Sequence, residues 1–227
     1  MTEYNFFGGF FVTDYSGMCD VLTRELAGRG RSRSLAVAVF ASARDQFTKT
    51  HLLPHVEYWN CRSKAWVDFF FLGYLGDDTP DDDSVTVNSR EDKGFHEETF
   101  VEAIERFERS GWRYSGRPSV LIFQSGLKQR VSDGKQRAFP DLTNYIDFAV
   151  EEAISDHAID SVEKFFERII RFAKTQSEIN PQWRLSDVVA GESIVKALGD
   201  AVFENLPIKG VKRVLMPLKY FRVKAAG

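Results

Sequence analysis

The sequence predicts an α/β fold, a three-layer domain on a central mixed sheet with a C-terminal helical extension. Three observations predict it. Apolar runs of strand length recur at residues 34–42, 64–76 and 119–123, and such runs fit strands covered on both faces. Helical periodicity fills much of the chain between them, so the order reads strand, helix, strand, loop, helix, strand, helix, the order of βαβ units. With 43% hydrophobic residues and twenty Phe among 227 residues, the chain can bury one good core plus an appendage.

Taken in order, "FFGGFFVTD" reads as a short strand or packed arm, and "SGMCDVLTRELAG" as a helix that buries Leu22 and Leu26 and stops at Gly28. Residues 1–33 are thus an N-terminal arm and helix. "SLAVAVFAS" is the first core strand. "ARDQFTKTHLLPHVEYWNCRS" begins with helical character until Pro54 interrupts it. "KAWVDFFFLGYLG" is a second strand, rich in aromatics. The acidic stretch at 76–94 has almost no large apolar residue and reads as an exposed loop with at most a small hairpin, inserted into a domain spanning 34–155. In "FHEETFVEAIERFERSG", Phe100, Val101, Ile104 and Phe107 share one helical face, with acidic residues early and arginines late as the helix dipole favours. The third strand is 119–123. "DLTNYIDFAVEEAIS" carries a helix signal, "DSVEKFFERIIRFAK" a wide apolar stripe that needs a partner surface, and a last helix is expected within 185–203. Residues 156–227 form the helical extension and a basic tail, packing on the same core or serving a homo-oligomer.

Composition excludes several function classes. A net charge of −3 gives no global preference for nucleic acid, which would need a local basic patch. Two patches exist, "RGRSR" at 29–33, read as a solvated turn, and the tail at 209–224, where basic and apolar residues alternate as in an edge strand or short docking helix. Nucleic-acid or membrane-surface binding through that tail is the weakest of three functional readings. The two cysteines, Cys19 and Cys61, have neither zinc-site nor CxxC spacing, which fits a reducing cytoplasm, expected to be bacterial. The N-terminus lacks the pattern of a signal peptide, and no stretch approaches the roughly 18 apolar residues of a membrane span. No cofactor motif is present: there is no Walker A loop, no Gly-x-Ser-x-Gly elbow and no GxGxxG.

The segment "SGRPSVLIFQSG" (115–126) places Gly-x-Pro directly before the third strand. Proline is tolerated there because its missing N–H falls before the ladder begins, and the setting favours a cis bond. With Gly116, Pro118, the apolar run 120–123 and Gly126 in this order after a helix, the chain resembles the thioredoxin-like superfamily over about residues 34–155. The resemblance implies a cis proline, a hairpin glycine, two parallel strands at "LAVAVF" and "AWVDFFFLGY", and a groove beside the proline that pairs with extended peptides. The departure is equally specific. Where redox members carry Cys-x-x-Cys, this chain reads "ASARDQF", so thiol–disulfide exchange is not expected there.

A non-redox binding or adaptor module for a protein partner is therefore the leading expectation, with Ser42, Arg44, Trp112, Tyr114, Arg117 and Pro118 as binding residues, since Trp, Tyr and Arg dominate binding hot spots. The alternative is an enzyme using Arg44, Asp45 and Cys61, with Asp45 and Cys61 as catalytic candidates; Arg62 and Lys64 beside Cys61 would favour a thiolate. No metal site is expected. Glu91 and Lys93 follow residues too polar for the buried strand a magnesium nuclease needs. His96 lacks a second histidine four residues on, and His51 and His55 flank Pro54 without carboxylate or thiolate support in the local sequence.

Overall fold

A computed structural model describes residues 11–12, 14–63, 66–76, 85–88, 91–129, 134–180, 184–185 and 220–224. In chain order its elements are β1 (Phe11–Val12), α1 (Tyr15–Gly28), β2 (Arg33–Phe40), a π-helical turn (Thr48–Leu52) and a 3-10 turn (Leu53–His55) that lead into α2 (Val56–Ser63), and β3 (Val67–Leu72). There follow β4 (Tyr74–Gly76), β5 (Val85–Asn88), β6 (Glu91–Phe95), α3 (Glu97–Glu108), β7 (Ser119–Gln129), β8 (Gln136–Ala149), α4 (Val150–Ser155), α5 (Val162–Ile179) and β9 (Phe221–Lys224). The main sheet has the order β1-β3-β2-β7-β8-β9. Its β1–β3 and β3–β2 pairs are parallel and the rest antiparallel, so the fold is mixed α/β with a mixed sheet between helices.

Strands β2 and β3 are buried along nearly their whole length, as their unbroken apolar sequence requires when helices cover both faces. One face carries α1 and α3: Phe107 of α3 meets Phe40 of β2 at 5.1 Å and Tyr15 of α1 at 5.6 Å. The other carries α2 and α5, where Phe166 meets Trp59 at 4.3 Å and Phe69 at 5.0 Å, and Phe165 stacks on Phe148 at 4.1 Å. Helix α1 starts at Asp14, whose Oδ1 accepts from the Gly17 N–H at 2.6 Å. Beyond its last residue, Arg29 reaches Asp68 of β3 in a two-pronged pair, 2.7 and 3.1 Å, and the Ser34 hydroxyl donates to the same carboxylate at 3.0 Å. That buried network ties the end of α1 to the sheet.

The structure corrects several expectations. The segment expected as a helix at 141–155 is mostly strand: β8 pairs with β7 as far as Ala149, with a bulge where Phe123 faces Tyr145 and Gln124 faces Asp141, and helix begins only at Val150. A long partner strand overrides local helical spacing. The third strand runs on from Phe123 to Gln129, so Gly126 lies within it, opposite Arg33 and Phe139, not in a hairpin turn. There is no cis peptide bond among the described residues, so Pro118 is trans. Gly116, at φ +81°, bends the chain there instead. Pro54 does interrupt regular helix: the run passes it only by changing type, from the π-helical turn through the 3-10 turn that contains it, before α2 starts at Val56. The acidic segment contributes β5 and β6, which join β4 in a small antiparallel sheet; residues 77–84 and 89–90 lie outside the described set.

At the termini, β1 and α1 join the main sheet and its core. The apolar stripe of α5 is covered within the chain, by β3, β8 and α2, and is not left for a second copy. Of the tail, 220–224 is described, and Phe221–Lys224 is the edge strand that its alternation suggested. The last helix expected within 185–203 lies, apart from Leu185, outside the described residues.

Candidate functional site

Strand β2 ends where β7 begins: Phe40 pairs with Ser119 in the antiparallel ladder. That pairing sets the turn at 42–45 beside the turn at 114–118, at the carboxyl ends of the parallel strands β2 and β3, the end where open α/β sheets usually bind ligands. Ser42, Arg44, Asp45, Tyr114, Arg117 and Pro118 are thereby brought to one end of the sheet.

Their roles differ. The Ser42 hydroxyl accepts from the Arg44 N–H at 3.2 Å, and its carbonyl from the Asp45 N–H at 3.0 Å. Asp45 opens the following helical run: its Oδ1 accepts from the Thr48 N–H at 2.8 Å and from the Thr48 hydroxyl at 3.1 Å, as an N-cap does. Arg44 extends into solvent and pairs with Glu97 at the start of α3, 2.9 Å. Arg117 is likewise exposed and pairs with Glu152 of α4, 3.0 Å. Tyr114 is half-buried, its ring edge-on to Phe100 at 5.8 Å. Burial, reinforced by the nearby Asp45 and Glu151 carboxylates, pushes its phenol up to about 12. Beneath, the buried Tyr74 hydroxyl donates to the Ala41 carbonyl at 2.6 Å, and burial pushes that phenol up as well. Both tyrosines therefore stay protonated at neutral pH, the Tyr74 proton being already committed to the Ala41 carbonyl.

Trp112 and Pro118 are not on the surface. Trp112 is 1% exposed and packs on Phe40 at 4.4 Å, and Pro118 is buried ahead of β7. Cys61 is not near this turn either. It lies in α2, which leads into β3 at Val67, the residue paired with Leu35 near the start of β2, so the chain places it toward the opposite end of the sheet.

Under the site sits a buried carboxyl absent from the sequence-based expectations, Asp147 of β8. The Ser119 hydroxyl donates to it, and Arg222 of β9 lies 2.6 Å from its Oδ2. Burial pushes the Asp147 carboxyl above its ordinary value, while Ser119, Arg222 and the Trp112 indole favour the ionised form. Because the folded value is raised, Asp147 stabilises the fold below its unfolded value and loses that contribution as pH rises through the folded one. Arg222→Ala removes one of the groups that offset this. It should cost about 1–2 kcal/mol at neutral pH, discounted for the exposure of the arginine, and much less in acid where Asp147 is protonated in both proteins. Urea unfolding of the two proteins at neutral and acid pH checks this; a cost independent of pH would contradict it.

Among the described residues no group of three or more His, Cys, Asp or Glu side chains could hold a metal ion. Of the histidines, His55 pairs with Glu163 of α5 at 2.5 Å and His51 packs on Phe47. No described helix is long and apolar enough to cross a membrane. No family model, curated protein or solved structure matches the chain. The residues that sequence reasoning missed, Tyr74, Glu97, Glu152 and Asp147, come from four different elements and share no local spacing that would have joined them.

Proposed function

We propose that the protein is a binding or adaptor module, a thioredoxin-like domain without the Cys-x-x-Cys redox pair, that takes a protein partner on the surface formed by residues 42–45 and 114–118. One observation carries the reading: the pairing of Phe40 with Ser119 sets the two turns side by side, with Arg44 and Arg117 exposed and Tyr114 half-buried. The family reading draws support from the parallel β2–β3 pair, from β7 antiparallel to β2, and from the β7–β8 hairpin. The trans Pro118 departs from the family pattern, which shifts the weight of recognition from backbone pairing to side chains. Tyr and Arg are suited to that role. Each arginine is held by a solvent-exposed carboxylate, a pair worth little, so each can exchange it for an acidic group on a partner.

The enzymatic reading through Arg44, Asp45 and Cys61 has less support, because Asp45 is engaged as a helix cap and Cys61 belongs to the other end of the sheet. For the basic tail, Arg222 faces Asp147 and the Lys224 ammonium donates to the Ser110 carbonyl at 3.0 Å; residues 209–219 and 225–227 lie outside the described set. The test is an Arg44→Glu, Arg117→Glu double variant. It should keep a melting temperature within a few degrees of the wild type, as exposed substitutions do, and lose the partners captured by the wild type. Identical partner sets would overturn the assignment.

A further inference from the structure

We propose a second site, independent of the reading above: the cavity between α1, α3 and the start of β8 binds a small carboxylate that carries an apolar body. The cavity holds about 330 Å³, within the range of small-molecule sites. Cys19, 4% exposed, and Tyr15 both belong to its α1 wall. Burial pushes the phenol up to about 12 and the thiol up to about 11, so both are neutral at physiological pH and present no negative charge to an incoming anion. Ala138 and Phe139 of β8 supply apolar surface.

Two guanidiniums reach the same cavity from different elements, Arg106 from α3 and Arg137 from β8, and both lie close enough to act electrostatically on the Tyr15 hydroxyl. Arg137 is positioned in advance. Its Nη2 donates to the Ser16 hydroxyl at 2.8 Å and the Ser16 carbonyl at 3.3 Å, and lies 3.0 Å from Asp20. Arg106 has Glu102 at 3.6 Å, with both side chains about half exposed, a contact that is cheap to break. Of the other lining carboxylate, Asp14, one oxygen caps α1. Arg106, the movable guanidinium, can turn paired N–H groups toward a planar carboxylate, while Arg137, its Nη2 engaged by Ser16 and Asp20, adds positive charge beside the aromatic wall. The apolar body would lie against Phe139. A cationic ligand would meet both guanidiniums.

The experiment titrates benzoate into uniformly labelled protein and follows amide chemical shifts, with benzylamine and inorganic phosphate as parallel arms. Saturable shifts confined to residues 15–19, 102–106 and 137–139 are expected for benzoate, with binding weakened about tenfold or more in Arg106→Glu, a loss of about 1.4 kcal/mol. Arg106 is exposed enough for that variant to remain folded, which its melting temperature verifies. Absence of benzoate shifts, equal binding of benzylamine, or undiminished binding by Arg106→Glu would each overturn the site. Phosphate binding as tightly as benzoate would overturn the requirement for an apolar body.

Discussion

Replacing Trp112 with alanine is expected to cost the fold about 3–5 kcal/mol, the range for deleting a large buried aromatic. The indole is 1% exposed and sits in a ring cluster, 4.4 Å from Phe40, 6.0 Å from Tyr114 and 6.2 Å from Phe107. Its loss would open a cavity between the end of β2 and α3, and would leave Asp147 without one of the groups that favour its ionised form. Trp112→Phe keeps a ring in the cluster and should cost clearly less. Urea unfolding of both variants checks the order, and a loss below about 1 kcal/mol for the alanine variant would mean that the indole is not packed as described. A binding defect in Trp112→Ala would consequently report unfolding, which is why the partner surface is tested through arginines.

Gly73→Ala is expected to cost about 2–4 kcal/mol, from left-handed backbone strain and overpacking together. Gly73 links β3 to β4 at φ +84°, and a Cβ there would lie 2.7 Å from the Phe100 Cβ and 3.1 Å from the Phe95 ring. The next residue is Tyr74, whose hydroxyl holds the Ala41 carbonyl, so relief of the clash would disturb the floor of the candidate site. Gly116→Ala separates the two causes. Its φ is +81°, but a Cβ there meets nothing within 4 Å, so strain alone should cost about 1–2 kcal/mol. Equal losses at both positions in denaturant unfolding would contradict the close packing of α3 on Gly73.

The elements legible in the sequence were those whose pattern is local. Strands β2 and β3 are unbroken apolar runs, while α3 and α5 repeat their buried residues at helical spacing. Strand β8 was not legible, because residues 141–155 can be read at helical spacing and only the distant β7 decides between the two periods. Of the small β4-β6-β5 sheet, the hairpin in the acidic stretch is anticipated by the sequence but its pairing with β4 is not, because Tyr74–Gly76 reads as the continuation of the β3 run.

Legibility of the site divides in the same way. The turn at 114–118 is legible from Gly116 and Pro118, whereas that at 42–45 stands out only through the resemblance to the thioredoxin-like superfamily, and the pairing of β2 with β7 unites them. Trp112 stands among Gly, Arg and Ser in the sequence, yet its burial is decided by Phe40 and Phe107, which come from other elements. The counter-ions Glu97 and Glu152 are joined to Arg44 and Arg117 only by the fold. The turn into β7 likewise concealed a division of labour, since Gly116 supplies the left-handed residue and Pro118 enters the core in trans.

The most direct test of the proposed partner surface is site-specific photocrosslinking in cells, with a photoreactive residue at Arg117 beside the paired turns and, as reference, at Glu178, exposed near the end of α5. The proposed surface predicts one dominant protein adduct from position 117, abolished by Arg44→Glu, and none of that mass from position 178. The same adduct from both positions, or an adduct at 117 that survives Arg44→Glu, would contradict it.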